Sequence, residues 1–170
     1  EFTKASAVYT SPFTTTIGLC SQALLDFGTD KQKEKYLPLM ASGKAVGSFA
    51  LTEPNAGSDA LSLETSAIKD GDDYIINGTK KYITKAPYAD VFLVMAKTNP
   101  NSEGSEAISS FLVDSNLSGI EIGETPKMLG QKGSSSPEVY FQNCRVNKDA
   151  LLGEKEGGGL KPALRGINHA

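Results

Sequence analysis

Apolar positions early in the chain recur at helical spacing. Ile17, Cys20, Ala23, Leu24 and Phe27 fall on one stripe, and Gly28 stands where a left-handed C-terminal cap would close the helix. Thr29 and Gln32 spell a T-x-x-Q capping box ahead of Lys33, Tyr36, Leu37 and Met40, with Gly43 closing a second helix expected to pair antiparallel with the first. From Val46 onward the texture changes to short β-type runs, at 46–51, 68–69, 74–76, 81–84, 91–96, 111–113, 120–122 and 139–141. Asp70-Gly71 and Asn77-Gly78 read as tight turns, and 99–106 reads as a loop. After Leu152 the glycine-rich stretch 153–159 breaks the β pattern, and 160–170 begins another helix. There is no internal repeat.

The strand at 46–51 ends abruptly in Thr52, Glu53, Pro54, Asn55, Ala56, Gly57, Ser58 and Asp59. Pro54 sets φ, while Asn55 and Gly57 tolerate positive φ, so successive N–H groups are expected to face one concavity and receive negative oxygens. Glu53 and Asp59 suggest a carboxylate pair, but acids inside a turn more often bind backbone N–H groups, and both are assigned a structural role.

The chain has 170 residues, 39% apolar and 22% charged, enough to bury roughly 70% of its unfolded surface around an ordinary core. A net charge of −3 and an isoelectric point near 5.2 argue against nucleic acid as a partner. The longest aliphatic or aromatic run, 91–96, is far shorter than the ~20 residues of a membrane helix. Cys20 and Cys144 are isolated, which implies reduced thiols and no metal site. His169 is the sole histidine and has no companion for a triad or a metal. Glu1 in place of Met, without a signal peptide, leaves the natural N-terminus and targeting open.

The run Thr-Glu-Pro-x-Ala-Gly-Ser-Asp at 52–59, preceded by aromatic Phe49, resembles the signature of the acyl-CoA dehydrogenase family. A second match follows in Asn77-Gly78-Thr79-Lys80-Lys81-Tyr82-Ile83-Thr84, which is similar to the family's Asn-Gly-x-Lys-x-Trp-Ile-Thr strand. The resemblance implies that Phe49, Leu51, Thr52, Gly57, Ser58, Tyr82, Ile83 and Thr84 bind FAD, with one Thr hydroxyl near the reactive ring nitrogen, and that Ser58 and Ser105 meet the acyl-CoA. It also implies α,β-dehydrogenation of a thioester, with FAD taking the hydride and an electron-transfer flavoprotein taking the electrons. Two departures stand out: Tyr82 replaces the usual Trp, and Lys85 stands where Asn or Ser is common. The segment 130–136 resembles a Gly-x-Arg-x-Ser stretch that is structural or intersubunit in the family. The family's base is a Glu of its C-terminal domain, so no catalytic residue is assigned here and the chain alone is expected to be inactive.

The fold expectation is α+β: a mostly-β middle domain at 46–155, a small orthogonal barrel or sandwich, flanked by helices of two truncated all-α domains at 1–45 and 156–170. The family further implies a homo-oligomer, tetramer or dimer, in a bacterial cytoplasm or a mitochondrial matrix. Two rival readings are a non-catalytic β module that binds a ligand or partner, and an oxidase or flavin monooxygenase relative.

Overall fold

The capping box at Thr29 and Gln32 is formed: each side chain binds the other's backbone, and the helix they open runs Asp30–Ala41 (α3). Before it lie α1 (Phe2–Ala5), a 3-10 turn (Ala7–Thr10), a π-helix (Phe13–Ser21) and α2 (Gln22–Phe27). Seven strands follow: β1 (Gly47–Ala50), β2 (Ser66–Asp70), β3 (Asp73–Lys80), β4 (Val91–Lys97), β5 (Ile108–Asp114), β6 (Ile120–Ile122) and β7 (Val139–Asn147). Helix α4 (Leu160–His169) ends the order. The computed structural model describes residues 2–11, 13–99 and 101–169, and gives backbone course alone for Phe2, Thr3, Ala7, Gly166, Asn168 and His169. Among the described residues, no helix is long and apolar enough to cross a membrane.

β5 takes one edge of β4 along its whole length, so the other edge is shared by β1, parallel from Gly47↔Val91 to Ala50↔Val94, and by β2 at Ser66↔Lys97. The chain thus leaves that edge after Ala50, makes an excursion over 51–65, and returns to it. Beyond β2 the sheet continues through β3, β7 and β6. It curls there, so that β1, β4 and β5 face the β3–β7 half across a shared apolar core containing Phe92, Val94, Phe111, Ile76 and Phe141. Phe92 and Phe141 meet edge-on at 6.3 Å, and Tyr74 and Phe111 at 5.1 Å, the arrangement aromatic quadrupoles favour. Val91, Leu93 and Met95 point the other way, into a second core with Cys20, Leu24, Tyr36 and Met40. The unbroken apolar run at 91–96 follows from this: both faces of β4 are covered.

The amide of Gln32, 4% exposed, joins the helical layer to the end of the β region. Its nitrogen donates to Asp149 O and Leu151 O, both at 2.8 Å, and its oxygen accepts from Thr29 N and Gly153 N. Both protons and both lone pairs of this buried group are used.

Four expectations change in the structure. The first helix is a π-helix through Ser21, where Thr14 and Thr15 hydroxyls bond back to Thr10 O and Ser11 O and Ser21 Oγ reaches Thr16 O; such side-chain competition loosens the α ladder, and Ile17 is left exposed. Gly28 is extended (φ −69°, ψ 150°), and its constraint is space, since a Cβ there would lie 2.7 Å from Leu24 O. Asn77-Gly78 is no turn but an irregularity inside β3, where Gly78 (φ +154°) lets Thr65 Oγ1 approach to 2.3 Å of where a Cβ would sit. Residues 81–84 form no strand, because Tyr82 and Lys85 are left-handed (φ 60° and 65°) and break the pleat.

Lys80, at the end of β3, is fully enclosed. Its Nζ lies 2.7 Å from Glu53 Oε1 and 3.1 Å from Leu51 O. The Glu53 carboxylate also accepts N–H bonds from Glu64 and Thr65. Burial pushes the Lys80 ammonium down to about 8 against the pull of Glu53. For Glu53 burial acts upward, but the Lys80 charge and the N–H donors outweigh it and hold the carboxyl below its ordinary value, so the pair is ionised at neutral pH.

Lys80→Met is expected to destabilise the fold by about 3–5 kcal/mol, because it strands a buried carboxylate. Adding Glu53→Gln should recover much of that loss. Urea midpoints at unchanged m value measure both, and a single variant within about 0.5 kcal/mol of the parent, the range of an ordinary surface change, contradicts the role given to the pair. The pair also sets an acid limit. Because the folded Glu53 pKa lies below its ordinary value of 4.5, its stabilisation is complete above that pH and is lost as the pH falls through the folded value; Glu53→Gln should flatten this part of the stability profile.

Candidate functional site

Three backbone segments meet beside the outer edge of β1. The first is the turn that follows it, closed by Glu53 N to Ala56 O (2.9 Å) and Ala56 N to Glu53 O (3.3 Å). The second is 81–85, which leaves β3 at Lys80. Lys81 N donates to Thr52 O and Ser48 Oγ to Thr84 O, each at 2.8 Å, so this segment runs antiparallel past 48–52. The third precedes β7: Pro137 O accepts from Ile83 N (2.9 Å) and Ser135 O from Lys85 N (2.7 Å). Residues 81–85 are therefore bonded on both sides without belonging to a strand. That bracketing sustains left-handed backbone at Tyr82 and Lys85, at roughly 1–2 kcal/mol each for residues with a Cβ.

Asn55 and Gly57 do not use the positive φ that both tolerate; neither is left-handed. With Glu53 anchored to Lys80, Pro54 and Asn55 complete a tight turn that needs no such backbone. Gly57 is exposed, and apart from its chain neighbours no atom of a described residue lies within 4 Å of where its Cβ would be, so the surface above it is open. Ser58 is exposed beside it, and the hydroxyls of Ser58 and Thr52 are not engaged by any other described residue. Asp59 accepts a hydrogen bond from Ser62 Oγ.

Tyr82 is 60% exposed, an unusual position for a tyrosine held so firmly at its backbone. Lys81 Nζ sits 5.4 Å from its ring centroid and 3.4 Å from Glu138, which also accepts from Tyr140 OH at 2.6 Å. A cleft of about 520 Å³ opens beside the ring, with Tyr82, Gly123, Ser136 and Tyr140 among its lining residues. Thr84 is half-buried, and its Oγ1 lies 3.4 Å from Ser136 Oγ. Ile83 is 1% exposed in the core between the two halves of the sheet, Leu51 is buried in the helix-side core, and Phe49 packs against that core. Lys85 directs its Nζ to the face of Tyr88 at 5.9 Å.

Ser105 is exposed on the 3-10 turn Gly104–Ala107, its carbonyl bound by Gly158 N at 3.0 Å. β1 and β4 run parallel and both leave the sheet at this end, so Ser105 shares it with the turn after β1.

Ser48, Lys80 and Ser136 were not singled out from the sequence, although they hold the segments together. For Ser48 the one available signal is its place within the apolar run that forms β1. The thiols of Cys20 and Cys144 are pushed up by burial to about 12 and about 11, values that make both poor nucleophiles. Among the described residues, no group of three His, Cys, Asp or Glu is placed to hold a metal ion.

Comparison with known proteins agrees with this geometry. The description "Acyl-CoA dehydrogenase, middle domain" matches residues 48–144, and "Acyl-CoA dehydrogenase, N-terminal domain" matches residues 1–44. An acyl-CoA dehydrogenase of Bacillus subtilis is 44% identical over 145 residues, 85% of this chain and 38% of its own length. The structure of butyryl-CoA dehydrogenase from Megasphaera elsdenii superimposes with a TM-score of 0.89 at 35% identity, covering 93% of this chain and 41% of that one. A glutaryl-CoA dehydrogenase from Mycobacterium smegmatis, solved in complex with FADH2, superimposes with a TM-score of 0.85 at 34% identity over 94% of this chain and 39% of its own. The chain thus spans about two fifths of the length of these relatives. Matched through both descriptions, and superimposing along most of its length on butyryl-CoA dehydrogenase, the chain belongs to the acyl-CoA dehydrogenase family.

Proposed function

We propose that the surface formed by the turn at 52–58 and the segment 82–84 holds FAD, and that the protein catalyses α,β-dehydrogenation of an acyl-CoA thioester. The observation that carries this reading is the set of uncommitted groups on a rigid frame: the hydroxyls of Thr52 and Ser58, the open surface at Gly57 and the exposed ring of Tyr82, all beside a backbone bonded on both sides. Such groups fit a flat, polar-edged ring with a phosphate tail. When bound, FAD supplies a hydride acceptor. Tyr82 then offers an aromatic face, smaller than the usual Trp. Thr84 donates from its hydroxyl to the ring edge where negative charge accumulates on reduction, a donor fixed before the reaction begins. Thr52 contributes a second hydroxyl, and Ser58 serves the phosphates and borders the thioester. Phe49, Leu51 and Ile83 act by shaping and supporting the frame, and Ser105 flanks the approach of the CoA.

Domain limits follow the same reading: 1–45 from an N-terminal helical domain, 46–155 the β domain, and 156–170 the start of a C-terminal helical domain. The α-proton base comes from outside the described residues. Glu53 is enclosed by Lys80, Asp59 holds Ser62, and Glu138 is bound by Tyr140 and Lys81. An electron-transfer flavoprotein as oxidant and a homo-oligomeric assembly belong to the same proposal.

Two measurements test it. In the FAD-loaded full-length protein, Thr84→Ala is expected to slow flavin reduction by acyl-CoA by about 10²-fold, on the scale of a lost preorganised donor; unchanged stopped-flow kinetics contradict the role of Thr84. FAD titrated into residues 1–170 alone is expected to bind weakly, because one wall encloses far less than the 70–90% of ligand surface that pockets usually bury. Tight stoichiometric binding would mean that these residues form the whole pocket, and a full-length protein that stays colourless and indifferent to acyl-CoA would favour a non-catalytic module.

A further inference from the structure

The hydroxyl of Thr84 has one proton and, in the proposed function, one task for it. The backbone around it is tied down on both sides. Its carbonyl accepts from Ser48 Oγ at 2.8 Å, and the residues on either side donate to Pro137 O and Ser135 O. Backbone position is thereby settled, and what remains free is rotation about χ1 and the direction of the hydroxyl proton. The one described group within hydrogen-bond range of Thr84 Oγ1 is Ser136 Oγ, at 3.4 Å. The heavy-atom geometry permits either oxygen to donate.

We propose that Ser136 is a positioning residue that donates its proton to Thr84 Oγ1, so that Thr84 keeps its own proton for the edge of the flavin ring. The inference rests on the flavin reading above and assigns a direction to the contact. If Thr84 donated to Ser136, its hydroxyl would face the cofactor with lone pairs alone, the wrong polarity for a ring that gains negative charge. With Ser136 as donor the two hydroxyls point the same way, and each polarises the next. Ser136 is free to serve. Its hydroxyl has no other partner among the described residues, whereas that of its neighbour Ser135 is held by Thr125 Oγ1 at 2.7 Å. That neighbouring bond, with the backbone bonds of Ser135 and Pro137 to residues 83–85, fixes where Ser136 stands. A 3.4 Å contact is long, and contacts of this kind tighten when the ligand is present.

The test uses the FAD-loaded full-length protein and two readouts, the flavin midpoint potential and the rate of flavin reduction. Ser136→Ala is expected to slow reduction roughly 3- to 10-fold, the range of one net hydrogen bond. The potential should become more negative by up to about 30 mV, a tenfold loss in a two-electron couple. Ser136→Thr and Ser136→Val have the same shape and differ by the hydroxyl; the first should keep the parent potential and the second should shift it as Ala does. Once Thr84→Ala is present, Ser136→Ala should add no further shift. A serine that merely supports the loop would change thermal stability or FAD affinity and leave the potential alone, so equal potentials for the Thr and Val variants overturn the proposal. If Thr84→Ala shifts the potential and Ser136→Val does not, only the role of Ser136 fails. If neither does, the flavin reading fails at Thr84 and takes this inference with it.

Discussion

One buried ammonium holds the site's geometry together. Lys80 reaches from the last position of β3 to Leu51 O and the Glu53 carboxylate, and that carboxylate continues to the N–H groups of Glu64 and Thr65. Two ends of a fifteen-residue excursion, 51–65, are thus tied to one charge on a different strand. An ion pair with no exposed side chain is a poor way to gain stability, since desolvation offsets most of the attraction. Its value is directional. An apolar contact would let the turn slide, whereas a lysine with two acceptors and a carboxylate with three donors admit one arrangement. The strand that carries Lys80 continues directly into the 81–85 segment, so the charge that fixes the first half of the surface also fixes where the second half begins.

The surface gains its shape from a break in regularity. Had residues 81–84 continued β3 as a pleated strand, alternate side chains would have faced opposite sides and the backbone would have been spent on a ladder. Left-handed backbone at Tyr82 and Lys85 turns the ring of Tyr82 outward while Ile83 still fills the core. Such conformations persist only where surrounding bonds over-determine them. Here those bonds come from β1 on one side and from 135–137 on the other.

Much of this was legible in the sequence for identifiable reasons. The Thr29–Gln32 capping box is a local interaction, so its four-residue spelling suffices. The continuous apolar run at 91–96 was read as a strand, and it is one, covered on both faces. The glycine of Asp70-Gly71 turns the β2–β3 hairpin as read, with φ 64°. Other failures were non-local. Asn77-Gly78 has the composition of a turn, but Thr65, just before β2, presses against Gly78 and turns a local preference into a site of close approach. The left-handed residues at 82 and 85 follow from partners fifty residues away. Glu53 was correctly read as structural, yet its partner Lys80 was invisible, because a lysine in a strand normally signals a solvated face. Ser136 lay in a stretch whose serines look alike until the fold separates their partners.

The amide of Gln32 has a consequence for how the chain comes to be folded. Its partners at 149, 151 and 153 lie 117 to 121 residues away. During synthesis α3 is complete long before those residues leave the ribosome. Until they do, three of the amide's four hydrogen bonds are left to water, and only the bond to Thr29 N within the capping box is in place. Helix α3 is therefore an element that forms early and is locked late, and closure of so long a loop belongs to the slow class of contacts. In a newly made chain, protection of the first turn of α3 from hydrogen exchange should report arrival of the sheet's far end and not helix formation itself.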